Sequence, residues 1–412
     1  MQVLVINGGS SSVKFTVYQT ADRAETVVLA GSVAGVGASR VELTLQDGAG
    51  RAVAWPTASL PAPLAVADTV AAMGLVVALL TAMGMATVQA VGYRVVHPGP
   101  NLTQHVRISP QVLQQLEAAT ELAPLHEPEA VAAVRAMMQH LPDARHYACF
   151  DTVFHATMSA AASTYALPAA WRDRGVRRYG FHGLSCESVV ARLDALAAEG
   201  QLRFPRRLAI AHLGSGCSVT AVMQGHSVDT TMGLTPTGGT VMGTRPGDLD
   251  PGVVLYLLRQ QKGTLLQGAA AVEQMLNHEA GFAGLAGTVN DMRALRLAAQ
   301  ADSAQAVLAL EVFARSVRKA LGAAAWVLGG LDAIVFTGGI GENDALLRDE
   351  VLRGLQRLGV EMDEDRNRIA SGSPRRISQL ESDVALYVIP ADEDRMVLGH
   401  VLRMEEAGGQ ET

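Results

Sequence analysis

The 412-residue chain is poor in aromatic side chains: Phe, Trp and Tyr make up 4% of it, so Ala, Val, Leu and Met must fill the core. Its three cysteines, Cys149, Cys186 and Cys217, are widely spaced and form no CxxC pair. That spacing gives neither a disulfide framework nor a zinc pattern, and it fits a reducing compartment, the cytoplasm. No basic segment followed by an apolar run and a cleavage site opens the chain, so no secretory signal is expected. Thr69 to Tyr93 carries no charge, but Gly74 and Gly84 interrupt it. It reads as a buried helix followed by a buried strand, each too short to span a bilayer core of about 30 Å. The net charge of −7 argues against a broad nucleic-acid surface but leaves room for a local phosphate-binding cleft. Neither GxxxxGK[ST] nor a GxGxxG after a strand occurs, and no H-x-x-x-H or Cys/His cluster suggests zinc.

What is present is α/β in character. The length suggests two or three domains. Val3-Leu4-Val5-Ile6, the turn Asn7–Ser12 and Val13–Tyr18 read as a hairpin. A second unit of the same kind runs through Leu208–Ala211, His212-Leu213-Gly214-Ser215-Gly216 and Val219–Met223, which suggests two related α/β domains. Helical patterns cover about 109–120, 129–139, 186–198, 255–261, 302–328 and 343–358. Strands are expected near 91–96, 146–150, 333–337 and 384–389.

Three Gly-rich segments could hold phosphate or nucleotide, because backbone N–H groups in such turns reach anions unobstructed by a Cβ. The first carries Asn7, Ser10, Ser12 and Lys14. The second is His212 to Gly216. The third, Gly338 to Asn343, follows the buried strand Asp332–Thr337, where α/β proteins place nucleotides. Arg94 ends an apolar strand, and Arg245 sits in M-G-T-R-P-G-D. Arginine there suits a transferring phosphoryl group or a carboxylate. Asp151 follows the strand ending Cys149-Phe150. It could hold Mg²⁺, orient a nucleophile or cap a helix. His126 and His182 are single histidines, which taken alone are most often structural. Asp392-Glu393-Asp394 follows a strand end and reads as a Mg²⁺ site or as an acidic helix start.

Together these segments resemble the acetokinase family, within the superfamily of sugar kinases, actin and heat-shock ATPases. The resemblance runs from V-I-N-G-G-S-S-S-V-K-F to I-P-A-D-E-D. R-V-V-H, A-P-L-H, F-D-T-V-F-H, R-R-Y-G-F-H-G, M-G-T-R-P-G-D, N-D-M-R and F-T-G-G-I-G-E-N lie between in the family's order. It implies two actin-like (ribonuclease H-like) α/β domains with mixed sheets flanked by helices, and an ATP cleft between them. Residues 1–154 with 393–412 would form the first domain and 155–392 the second.

The resemblance also implies roles. Asn7 and Glu393 hold Mg²⁺, with Mn²⁺ as an alternative, and Asp151 is the catalytic carboxylate. His182 and Arg245 stabilise the transition state, with His126 nearby. Arg94 binds the substrate carboxylate or acyl phosphate, while Val96, Leu125, Phe181 and Pro236 form a small apolar pocket. Ser10, Ser12 and Lys14 lie on the phosphate side, and His212, Leu213, Gly214, Ser215 and Gly216 cradle phosphate. Asp291, Met292, Arg293, Gly339, Ile340, Gly341, Glu342 and Asn343 line the adenosine site. The expected reaction is reversible transfer of the ATP γ-phosphoryl group to acetate, giving acetyl phosphate and ADP, in a homodimer that engages neither membrane nor nucleic acid. A propionate or other short-chain carboxylate kinase is the nearest alternative, and a non-catalytic ATP-binding actin-like protein a more distant one. The chain departs from the family's pattern at Ser215, Leu184, Cys186, Glu127 and Pro98 and around Glu393. None of these departures removes a residue assigned to the chemistry, and several alter the shell that supports it.

Overall fold

The computed structural model describes residues 1–9, 12–21, 24–38, 41–56, 66–85, 87–121, 127–287 and 290–408. They fall into two units: Met1–Val153 with Asp392–Thr412, and Phe154–Ala391.

Unit 1 is built on seven strands: β1 (Gln2–Gly9), β2 (Ser12–Ala21), β3 (Ala24–Ala34), β4 (Glu42–Asp47), β5 (Ala90–Val95), β6 (Val106–Arg107) and β7 (Arg145–Phe150). Their order is β4-β3-β2-β1-β5-β7-β6. β1 to β4 form an antiparallel meander, while β5 pairs parallel with β1 and β7 parallel with β5. The unbroken apolar run Val3–Ile6 reflects burial on both faces. Leu4 and Ile6 share a core with Met73, Val76, Val134 and Met137 of helices Thr69–Ala82 and Glu127–His140. The helix Glu393–Gly408 packs on β1, β5 and β7 and buries Val397, Leu398 and Val401. Thr69–Ala82 and β5 are the helix and strand read from the charge-free stretch. Among the described residues no helix is long and apolar enough to cross a membrane.

Unit 2 repeats the plan with β8 (Arg207–Leu213), β9 (Cys217–Met223), β10 (His226–Thr230), β11 (Ala333–Thr337), β12 (Arg375–Arg376) and β13 (Ala385–Val388), in the order β10-β9-β8-β11-β13-β12. Again a hairpin leads, and the next strands join parallel: β11 to β8 and β13 to β11. Cys186, Val189 and Leu193 of helix Gly183–Ala198 pack on Leu208, Ile210 and Val335. Helix Ala304–Leu328 packs on β8 and β9.

Three differences from the sequence reading have local causes. The Gly run after β11 is not a loop: helix Gly338–Asn343 starts at once. The expected single helix over 343–358 starts at Ala345, capped by Asp344, whose side chain accepts from Leu347 N–H at 2.9 Å, but stops at Leu352, where Arg353 leaves the helical conformation before a short 3-10 turn, Gln356–Leu358. The helix Leu265–His278 escaped notice because Leu265 and Leu266 are each 81% exposed, which blurs the helical pattern.

Candidate functional site

In unit 1 the site residues converge where β1, β5 and β7 end. Asn7 of β1 stands beside Arg94 of β5, and Arg94 beside Cys149 of β7. Asp151 lies just past β7, is 1% exposed, and accepts from Arg94: Nε at 3.0 Å to Oδ1 and Nη2 at 2.6 Å to Oδ2. Arg94 Nη1 also donates to Asn7 Oδ1 at 3.1 Å, and Asn7 Nδ2 donates to Glu393 Oε2 at 3.1 Å. Arg94 Nε lies 3.4 Å from Glu393 Oε2. Burial opposes the charge on Arg94, but Asp151 and then Glu393 outweigh it, so its pKa is raised. One guanidinium thus ties together residues from both ends of the chain. Val96, one residue beyond β5, lines a cavity of about 40 Å³ with Ile6, Gly8, Tyr93 and Arg94, a space suited to a group of only a few atoms. Lys14 is exposed on β2, paired across the hairpin with Asn7, and Ser12 is half-buried opposite Gly9. Ser10, Leu125 and His126 lie outside the described residues.

The oxygen donors of unit 1 fit a hard divalent cation. Asp394 accepts from Thr16 Oγ1 at 2.8 Å. Burial raises its pKa, hydrogen bonds from Thr16 and Asn7 lower it, and the charges of Glu393 and Asp392 raise it further. Like charges this crowded favour a bound cation, and carboxylate and amide oxygens are what Mg²⁺ takes. Asn7 and Glu393 would contribute directly.

In unit 2 the corresponding row is His212 of β8 beside Thr337 of β11. His182 precedes helix Gly183–Ala198 with φ 60° and ψ 27°, a left-handed backbone rare outside glycine. Its Nδ1 lies 3.0 Å from Ser218 Oγ, and its ring stacks on that of His212 with centroids 4.0 Å apart. His212 Nδ1 in turn meets Ser185 Oγ at 2.7 Å. Arg245 Nη1 donates to the Pro236 carbonyl at 3.1 Å, and burial lowers its pKa while Cys217 pulls it up. A Cβ built on Gly216 would stand 3.1 Å from His182 Nε2 and 3.6 Å from Arg245 Nη1. The β8–β9 turn Gly214–Gly216, His182 and Arg245 therefore come together, while Leu213 is fully buried beneath and Ser215 is exposed.

His155 was not singled out in the sequence. It is 1% exposed, with Nδ1 2.9 Å from Ser227 Oγ and Nε2 2.9 Å from the Phe181 carbonyl. Burial pushes its pKa down to about 4 against the pull of Phe181's carbonyl, so it is a neutral strut under Phe181-His182. Gly180 completes that support: at φ 76° a Cβ would lie 2.8 Å from the His155 ring. Only the F-D-T-V-F-H match drew notice to His155, and a single buried histidine carries no mark of what it props.

The remaining residues lie beyond β11. Gly338 has φ 78°, and a Cβ there would meet the Leu213 carbonyl at 2.7 Å. Thr337 Oγ1 is buried without a hydrogen-bond partner, Gly341 is buried, and Gly339 and Asn343 are exposed. Glu342 Oε1 accepts from Gly338 and Ala391 N–H at 2.9 and 3.1 Å, which pins Gly339, Ile340 and Gly341 in place. Arg348 is 1% exposed and braces the segment from behind, donating to the Gly341 carbonyl at 2.7 Å. Asp291 caps helix Met292–Gln300 by accepting from Arg293 N–H at 2.7 Å; Met292 is buried and the Arg293 side chain 93% exposed. Arg296 joins that helix to Asp344 and Glu350 at 3.0 and 2.6 Å, so Asp291–Arg293 and Gly339–Asn343 ride on elements tied together. Two of the departures, Leu184 and Cys186, are core residues of helix Gly183–Ala198, 1% and 0% exposed.

Residues 2–399 match the family model described as the acetokinase family. A protein of Rhodopseudomonas palustris named acetate kinase is 40% identical over 409 residues, 98% of this chain and 99% of its own. One of Deinococcus radiodurans with the same name is 41% identical over 400 residues, 96% of each chain. The crystal structure of Porphyromonas gingivalis acetate kinase superposes with a TM-score of 0.83 at 33% identity, over 98% of this chain and 99% of that one. A propionate kinase from Francisella tularensis gives 0.84 at 31% identity, over 97% and 98%.

Proposed function

The chain belongs to the acetokinase family, and from that premise we propose that it is an acetate kinase, passing the γ-phosphoryl group of ATP reversibly to acetate. It is an enzyme of the phosphotransferase kind with a carboxylate as acceptor, and its fold is the two-domain actin-like α/β fold expected from the sequence. The observation that carries the reading is Arg94, held on Asp151 and Asn7 and lining a cavity of about 40 Å³.

In this reading Arg94 takes the carboxylate of acetate, with Val96 beside the methyl group and Leu125, Phe181 and Pro236 as the further pocket residues. Acetate is already ionised at pH 7, so no strong base is needed. Its oxygen attacks the γ-phosphorus in line; the new O–P bond forms as the bond to the ADP oxygen breaks, and ADP leaves with the electron pair. Charge on the equatorial oxygens is met by His182, Arg245 and His126. Asp151 orients Arg94, and catalysis is then positioning and charge neutralisation. Asn7 and Glu393 would hold Mg²⁺, which when bound supplies positive charge to the phosphate oxygens. Ser10, Ser12, Lys14 and the His212–Gly216 turn would bind phosphates, and Asp291–Arg293 with Gly339–Asn343 the adenosine.

The likeness to a propionate kinase favours a second reading with the same chemistry and a longer acid. Exposed Val253, Leu255 and Tyr256 on helix Pro251–Gln260 support the homodimer, which gel filtration tests. Cytoplasmic residence is supported by the three free cysteines. The deciding experiment traps acyl phosphate with hydroxylamine from ATP, Mg²⁺ and each acid from formate to butyrate. Product with acetate is expected to exceed that with propionate. No product from any acid removes the kinase reading, and a tenfold preference for propionate replaces acetate as substrate.

A further inference from the structure

Glu127 opens helix Glu127–His140 and is wholly buried. Its Oε1 accepts from His97 N–H at 2.8 Å, while Oε2 has no hydrogen-bond partner. A buried carboxylate with a single hydrogen bond is costly, so the group favours its neutral form. Burial pushes its pKa up to about 8, the His97 N–H pulls it down, and the charge of Asp151 pushes it up again. The backbone that Glu127 grips is the continuation of β5. Arg94 and Val96 precede His97, and Gly99 N–H closes the turn on His97 Nδ1 at 3.0 Å. Glu127 thus bears on Arg94 and Val96, two of the residues that line the small cavity, and on the carboxylate that orients Arg94.

We propose that Glu127 is a positioning residue that sets how tightly this protein takes an anionic acceptor. As the neutral acid it holds the Val96–Gly99 segment, and as the carboxylate it adds a second negative charge beside Asp151. The inference rests on the carboxylate-kinase reading. The titratable and charged groups on the elements around Glu127 are Glu129, Arg135 and His140 on its own helix, with Arg135 paired to Glu117, then Tyr93 and Arg94 on β5, His97, and Asp151. Of these, Asp151 is the charge that acts on it.

The test compares wild type with Glu127→Gln across pH 7 to 9.5, measuring KM for acetate and for ATP with Mg²⁺. Wild-type acetate KM should rise about two- to thirtyfold, the span a unit charge several ångströms away exerts between high and intermediate effective dielectric. In the variant the acetate KM should stay flat, while the ATP KM follows the same course in both proteins. A second readout needs no turnover. A carboxyl whose folded pKa lies above its ordinary value contributes stability that is full below that ordinary value and is lost as pH rises through about 8. The Tm of Glu127→Gln should therefore gain on wild type from pH 5 to 8 and then hold its lead. Should Glu127→Gln fail to fold, Glu127→Asn takes its place in both measurements. An acetate KM that rises equally in wild type and variant, or a Tm difference independent of pH, overturns the proposal. No turnover in either protein removes the kinase reading and the substrate half of this proposal with it; a flat acetate KM in an active wild type removes this proposal alone.

Discussion

The two sheets share one plan, yet their ends are finished in opposite ways. In unit 1 the row Asn7–Arg94, with Asp151 after β7, is filled by side chains that satisfy one another. In unit 2 the row His212–Thr337 runs into Gly338, and backbone, a histidine stack and one half-buried arginine are what remain. An edge paired to itself is stable before any ligand arrives. An edge of glycine and orphaned Thr337 hydroxyl leaves its donors for something else to use. The same scaffold therefore makes a self-paired, charged edge in one unit and an open edge of backbone and unpaired hydroxyl in the other, the one proposed above to take phosphate and nucleotide. Removing charge from the first should cost folding as well as activity, and removing it from the second should cost activity alone.

Arg245→Ala breaks the open edge. Its guanidinium has the Pro236 carbonyl as hydrogen-bond partner, so kcat should fall roughly 10³–10⁵-fold while the Tm stays near wild type. A Tm loss as large as that of an Arg94 variant would erase the contrast. Arg94→Ala breaks the paired edge and takes the guanidinium away from the buried Asp151. Urea unfolding should show about 3–5 kcal/mol lost, together with weakened acetate binding. Gly338→Ala puts a Cβ 2.7 Å from the Leu213 carbonyl at positive φ. It should cost about 1–3 kcal/mol and raise KM for ATP more than for acetate. His155 sharpens the picture through pH. A histidine held neutral contributes stability above its ordinary pKa, and that stability drains as pH falls toward about 4. Unfolding free energy should drop between pH 6.5 and 4 at up to about 1.4 kcal/mol per pH unit, and His155→Asn should flatten that slope. Smallest is Val96→Ala, which should narrow the acetate-to-propionate ratio of kcat/KM by about tenfold or less. An unchanged ratio would take Val96 out of the pocket.

Both leading hairpins were legible because their strands are buried on both faces and read as plain apolar runs ending in Gly/Ser turns. Arg94 and Asp151 were legible as charges at strand ends. What escaped notice was hidden for physical reasons. β3 begins with four exposed residues and mixes small and polar ones, so its alternation is faint. The pairing of Asn7 with Glu393 spans the whole chain, and no local pattern announces it. Glu127 stood out only as a departure in H-E-P, because its burial and its grip on His97 arise from tertiary packing. His182 looked like one histidine among several, whereas its left-handed backbone and the stack on His212 depend on Gly180 and His155 beneath it.

The helix Glu393–Gly408 belongs to unit 1, although all of Phe154–Ala391 is made before it. On the ribosome the first seven strands therefore emerge with one face of their central sheet uncovered, lacking Val397, Leu398 and Val401. They wait while the second unit is synthesised, some tens of seconds at about 5–20 residues per second. Unit 2 is one continuous segment and can close during that interval. Glu393 arrives on the very helix that seals unit 1, so an interrupted message yields a chain that lacks both the seal and the acidic residue beside Asn7. A truncated chain would thus expose the apolar face that Val397, Leu398 and Val401 cover and lose the proposed Glu393 contact at the same time.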